Sequence, residues 1–163
     1  VWVIHPILVR RALSRRRRKR VDPSKSYWVA ALTIAPVVLV CALGRELDSD
    51  PRWSLAFGWL AIWGWAGLIV HGMLTRIVAF LVWFHRFSHR VGQRGVPNMN
   101  QICSPARAKR GLWIHTLSVF VGLMAILQGG EHMAQLSGLF VFLVGLHLLH
   151  WMSAALLYQV AES

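Results

Sequence analysis

The 163-residue chain is 56% hydrophobic and carries nine Trp, and its mean hydropathy of +0.49 accompanies a net charge of +12. Strong apolar and strong basic character together exclude an ordinary soluble domain and point to a membrane protein with its charges segregated into loops. Nucleic-acid binding, the other common source of such basicity, needs Lys and Arg on a shared polar face, whereas here runs of about twenty apolar residues separate them.

In chain order, Val1 to Val9 are apolar up to an abrupt basic block, "RRALSRRRRKRVDPSK". This opening reads as the last turns of a preceding membrane helix, so the chain is expected to be part of a longer one and residues 1–26 to form a basic lead-in. Residues 27–163 then read as the membrane domain. Four apolar runs, near Tyr27–Gly44, Ala56–His85, Gly111–Gln128 and Gln135–Tyr158, are long enough to cross about 30 Å of hydrocarbon at roughly 1.5 Å per residue. The expected fold class is all-α, an integral membrane bundle of four transmembrane helices, with the end of a fifth at the N-terminus. Strands are not expected, because the runs do not alternate and an open sheet edge has no partner in lipid.

The connections carry the charge. Of the 18 Lys and Arg, nine lie between Arg10 and Lys25 and six between Arg86 and Arg110, while Glu46, Asp48, Asp50 and Glu131 mark the two other connections. The positive-inside rule places both basic segments and the C-terminus in the cytoplasm. The arginine run also suits anionic lipid head groups. Trp28, Trp53, Trp113 and Tyr158 fall near helix ends, as an aromatic belt requires. Cys41 and Cys103 match no zinc or haem-attachment spacing and imply no disulfide framework.

Ionisable groups within spans are functional candidates because their burial is costly. Counting from the outer helix ends puts His71 at about 21 Å, His115 at about 20 Å, His147 at about 17 Å and His150 at about 21 Å of depth. Four imidazoles from three helices thus reach one level. Neutral imidazoles without carboxylates suit haem b ligated from two helices, with copper as the alternative and interhelical hydrogen bonding without any cofactor as the plain reading. The favoured ligands are His71 and one of His147 or His150, with His115 as the alternate. A metal held by His71 and His147 is the specific expectation. Arg76, with no acidic residue at its level, is expected beside a haem propionate or another subunit. His5, His85, His89 and His132 read as ordinary interfacial residues. No catalytic residue is expected, because no di-iron carboxylate set and no acidic proton relay lies in any span.

The run "HGMLTRIVAFLVWFHRFSHRVG", followed by "VPNM" and by "LWIHTL", resembles the C-terminal part of bacterial multi-spanning membrane proteins related to the haem-copper oxidase catalytic subunit and to haem- and copper-containing nitric-oxide-response proteins. The resemblance covers about Asp50 to Trp151. It implies a haem-binding inner-membrane protein in which His71 matches the "HG" of the run. In that pattern a proline precedes "FLVW", where this chain has Ala79, and no pair of adjacent histidines with the spacing of a copper-coordinating oxidase centre is present. The function expected is therefore a membrane subunit of a respiratory or photosynthetic electron-transfer assembly, with haem b. The alternative is an accessory subunit that packs against a larger complex and holds no cofactor.

Overall fold

The computed structural model describes residues 4–14, 23–92 and 95–158. Its helices are α1 (Ile4–Ser14), α2 (Pro23–Leu47), α3 (Pro51–Trp59), a π-helical turn (Leu60–Ala66), α4 (Gly67–Phe87), a 3-10 turn (Ser88–Arg90), α5 (Met99–Ile102), α6 (Pro105–Gln128) and α7 (Glu131–Leu156). Among the described residues there is no strand. Four stretches have the length and hydropathy to cross a membrane: Ser24–Leu47, Pro51–Arg90, Pro105–Gln128 and Glu131–Leu156. The four expected spans are therefore present, each longer than its hydrophobic run because capping and basic residues extend the helix beyond the apolar core. The arginine-rich block between residues 15 and 20 lies outside the described residues, as do residues 1–3. Ile4 and its neighbours continue as helix α1 to Ser14, past the first arginines.

Local chemistry sets the helix boundaries. Asp50 accepts from the Arg52 amide and Pro51 occupies the first helical turn, so α3 begins with one donor satisfied and another absent. Ser104 and Pro105 repeat the device at α6. Asn98 and Gln101 form a reciprocal capping box on α5. Between α6 and α7 the chain reverses at Gly129 (φ 71°) and Gly130 (φ 93°), backbone angles that side-chain-bearing residues rarely adopt.

α3, the π turn and α4 form one continuous element of 40 residues with the short Ser88–Arg90 turn. At 1.5 Å per residue it is about 60 Å long, roughly twice the hydrocarbon thickness. It packs against α2 on one side and α6 on another, and α6 packs along α7. At one end Val38, Cys41, Ala56, Leu60 and Val119 form a core with Trp53, Trp59 and Trp63 around it. At the other, Val78, Ala79, Val82, Phe87, Ile102, Cys103, Trp151 and Ala155 pack together. Ala79 is buried in that second core, in the middle of α4. A proline there would remove a helix hydrogen bond and bend α4 away from Trp151. Between the two cores, Tyr27, Ala31 and Leu68 make a third apolar contact, and the interior histidines lie beside it.

Candidate functional site: an interhelical histidine cluster

The site begins with an irregularity of the backbone. In a regular α-helix the amide of Gly67 would bond to the carbonyl of Trp63, but in the π turn it bonds to Ile62 O instead. Trp63 O accepts from Nε2 of His115 at 3.1 Å. The His115 ring lies against the Trp63 ring, with centroids 4.7 Å apart. Trp63 Nε1 in turn donates to Ser118 Oγ, three residues along α6 from His115, at 3.0 Å. A Cβ on Gly67 would sit 3.4 Å from Cε1 and Nε2 of His115, in ordinary contact, so the His115 ring of α6 lies against this face of α4.

His71 follows Gly67 by four residues and so shares its face of α4. Its Nδ1 lies 3.0 Å from Nδ1 of His115, a hydrogen bond between α4 and α6. Both rings are enclosed, with His71 5% and His115 2% exposed. From α2, the fully buried Tyr27 places its ring 4.9 Å from that of His71 and donates from Oη to Ala108 O at 2.9 Å. α7 contributes His147, which is half-buried and bonds to the main chain of Arg107. A Cβ at Gly111 would come within 2.8 Å of Tyr27 Oη and 2.9 Å of His147 Nε2. Tyr27, His71, His115 and His147 thus form one polar cluster with a member from each of α2, α4, α6 and α7.

Of the expected site residues, His71 and His115 are brought into contact and His147 lies beside them. His150 and Arg76 are not part of this cluster. Both are exposed on outward helix faces, His150 beside Leu146 and Leu149, Arg76 beside Met73 and Ile77. Among the interfacial histidines, His85 donates from Nδ1 to Leu81 O at 2.9 Å, a local bond on the exposed side of α4.

A bis-histidine iron needs its two ligand nitrogens on opposite sides of the metal, about 4 Å apart given metal–nitrogen bonds near 2 Å. The 3.0 Å separation of the two Nδ1 atoms is that of a mutual hydrogen bond, and Tyr27 and His147 fill the space beside Gly111. In this arrangement the His71–His115 pair does not fit a haem. Among the described residues, no group of three or more His, Cys, Asp or Glu side chains is placed to hold a metal ion.

Sequence reasoning missed Tyr27, Trp63 and Ser118. Tyr27 opens the first expected span, and a Tyr at the first turn of an apolar span must still find a partner for its hydroxyl. Nothing in the composition of "LAIWGWA" announces the π turn that orients His115. Comparisons with protein-family models, with curated proteins and with solved structures find no match to this chain.

Proposed function

We propose that the chain is a non-catalytic accessory subunit of a larger membrane assembly, its interior histidines serving to join its helices. The observation that supports this is the use of the pair's ring nitrogens. Both Nδ1 atoms and Nε2 of His115 are engaged in hydrogen bonds within the protein, three of four nitrogens in all. An assembly is favoured by the exposed His150 on the outward face of α7, because an ionisable group of this kind is costly against lipid. α7 is also the least enclosed of the four spans.

The finer reading is an electron-transfer assembly of a bacterial inner membrane, supported by the resemblance of "HGMLTRIVAFLVWFHRFSHRVG". Both basic segments and the C-terminus face the cytoplasm, supported by the distribution of Lys and Arg, with the arginine run against anionic head groups. The convergence of His71, His115 and His147 favours one second reading, haem b bound here after the rings part.

Purification of the full chain from its native membrane by an affinity tag, followed by native electrophoresis and a pyridine haemochrome spectrum, tests both. Migration with other membrane subunits, with no haem band assigned to this chain, is expected. A haem band lost on His71→Ala would establish the second reading in its place, and migration as a lone chain would overturn the first.

A further inference from the structure

The two histidines are held by bonds that leave each only one neutral tautomer. Trp63 O accepts, so the proton it receives is on Nε2 of His115. A neutral His115 then has a bare Nδ1, and the 3.0 Å contact requires Nδ1 of His71 to donate into it. An imidazolium at either ring would be buried with no counter-charge beside it among the described residues, so both rings rest neutral. The described acidic residues, Glu46, Asp48, Asp50 and Glu131, lie at the far ends of α2 and α7 from Tyr27 and His147. Among the described residues the titratable neighbours of the pair are Tyr27 from α2 and His147 from α7, with Arg107 and Arg110 of α6 and His150 of α7 near His147 and Cys103 near Tyr27.

We propose that the π-helical turn sets the tautomers of this pair, His115 as Nε2–H and His71 as Nδ1–H, and so holds the lone pair on Nε2 of His71 as the pair's proton-accepting site. His115 is the positioning residue and Trp63 O its anchor. The first proton the pair takes goes to Nε2 of His71, because that position leaves the mutual hydrogen bond intact, whereas a proton on Nδ1 of His115 would place two donors face to face. This holds whatever the chain docks against.

The test is nitrogen NMR of the full chain, labelled with ¹⁵N-histidine, in lipid nanodiscs. In the wild type at neutral pH the expected signals are Nδ1–H for His71 and Nε2–H for His115. His71 as Nε2–H, or as an equal mixture, would overturn the proposal. His115→Gln supplies an amide that donates to Trp63 O while its Oε1 accepts from His71, so His71 should remain Nδ1–H. His115→Leu removes the acceptor, and His71 should shift to the Nε2–H form or a mixture. An unchanged Nδ1–H signal in the Leu variant, or loss of it in the Gln variant, refutes the role given to His115. Should the Leu variant fail to fold, the wild type and the Gln variant still decide.

Discussion

Substitution of Gly111 by Ala probes the packing of the cluster at the point where α2, α6 and α7 meet. The added methyl would lie 2.8 Å from Tyr27 Oη and 2.9 Å from His147 Nε2, both too close for carbon against oxygen or nitrogen. Tyr27 is fully enclosed and its hydroxyl is tied to Ala108 O at 2.9 Å, so it has little room to retreat. Overpacking of this kind costs about 1–3 kcal/mol, and giving up the Tyr27 hydrogen bond adds about 1 kcal/mol. Against this stands the better helix propensity of Ala, which returns up to about 1 kcal/mol. The net expectation is a loss of about 2 kcal/mol. Gly138→Ala is the internal control, because nothing lies within 4 Å of a Cβ there and the propensity gain should appear alone. Unfolding free energies from detergent-to-SDS titrations, followed by circular dichroism, should separate the two variants by about 3 kcal/mol when these terms are combined. In a Tyr27→Phe background, which lacks the hydroxyl, the cost of Gly111→Ala should fall by about 1 kcal/mol. Equal stability of the Gly111 and Gly138 variants would refute the close approach of Tyr27 and His147 to α6.

Other positions carry their own expectations. A double-mutant cycle of His71→Leu and His115→Leu should give a coupling of about 0.6–1.7 kcal/mol, the range of interhelical hydrogen bonds in membranes, and a coupling near zero would mean that the rings do not bond. Gly122→Ala drives a methyl into the Trp59 indole, whose Nε1 donates to Val119 O at 2.9 Å; a loss of more than about 2 kcal/mol is expected, relieved in part by Trp59→Phe. Asp50→Ala removes the cap that accepts from the Arg52 amide and should cost about 1 kcal/mol, measured by the same titration. Burial pushes the Cys103 thiol up from its ordinary value, although its hydrogen bond from Trp151 and the nearby Arg107 act the other way. With less thiolate at neutral pH, maleimide labelling of folded protein should be slow and should speed up as pH rises; rapid labelling at neutral pH would contradict the burial of Cys103.

Length and hydropathy made the four spans legible, because any stretch that crosses a bilayer as a helix must be long and apolar. Depth along the helix also reads directly from residue number, and it brought His71 and His115 to a common level, where the structure joins them. Direction around the helix was not legible. α4 and α7 are apolar on nearly every side, so no polar face marks which side is inward. Their outward surfaces carry residues as apolar as the core, among them Met73, Ile77, Phe80, Leu139, Phe142 and Leu146.

The placement of Arg76 and His150 follows from that missing direction. Five residues at about 100° each put Arg76 roughly 140° around α4 from His71, so a helix that turns His71 toward α6 must turn Arg76 away. His150 is about 60° from His147, and that rotation separates a half-buried ring beside Gly111 from an exposed one beside Leu149. The π turn adds a further offset that residue counting cannot supply, since one additional residue in a turn rotates all that follows by about 100°. Read as an uninterrupted α-helix from Pro51, the same sequence would carry His71 off the α6-facing side relative to the α3 residues that pack on Val119. The seven residues Leu60–Ala66 therefore have two effects at once: they expose the Trp63 carbonyl that His115 bonds to, and they bring His71 round to meet the other nitrogen of that ring.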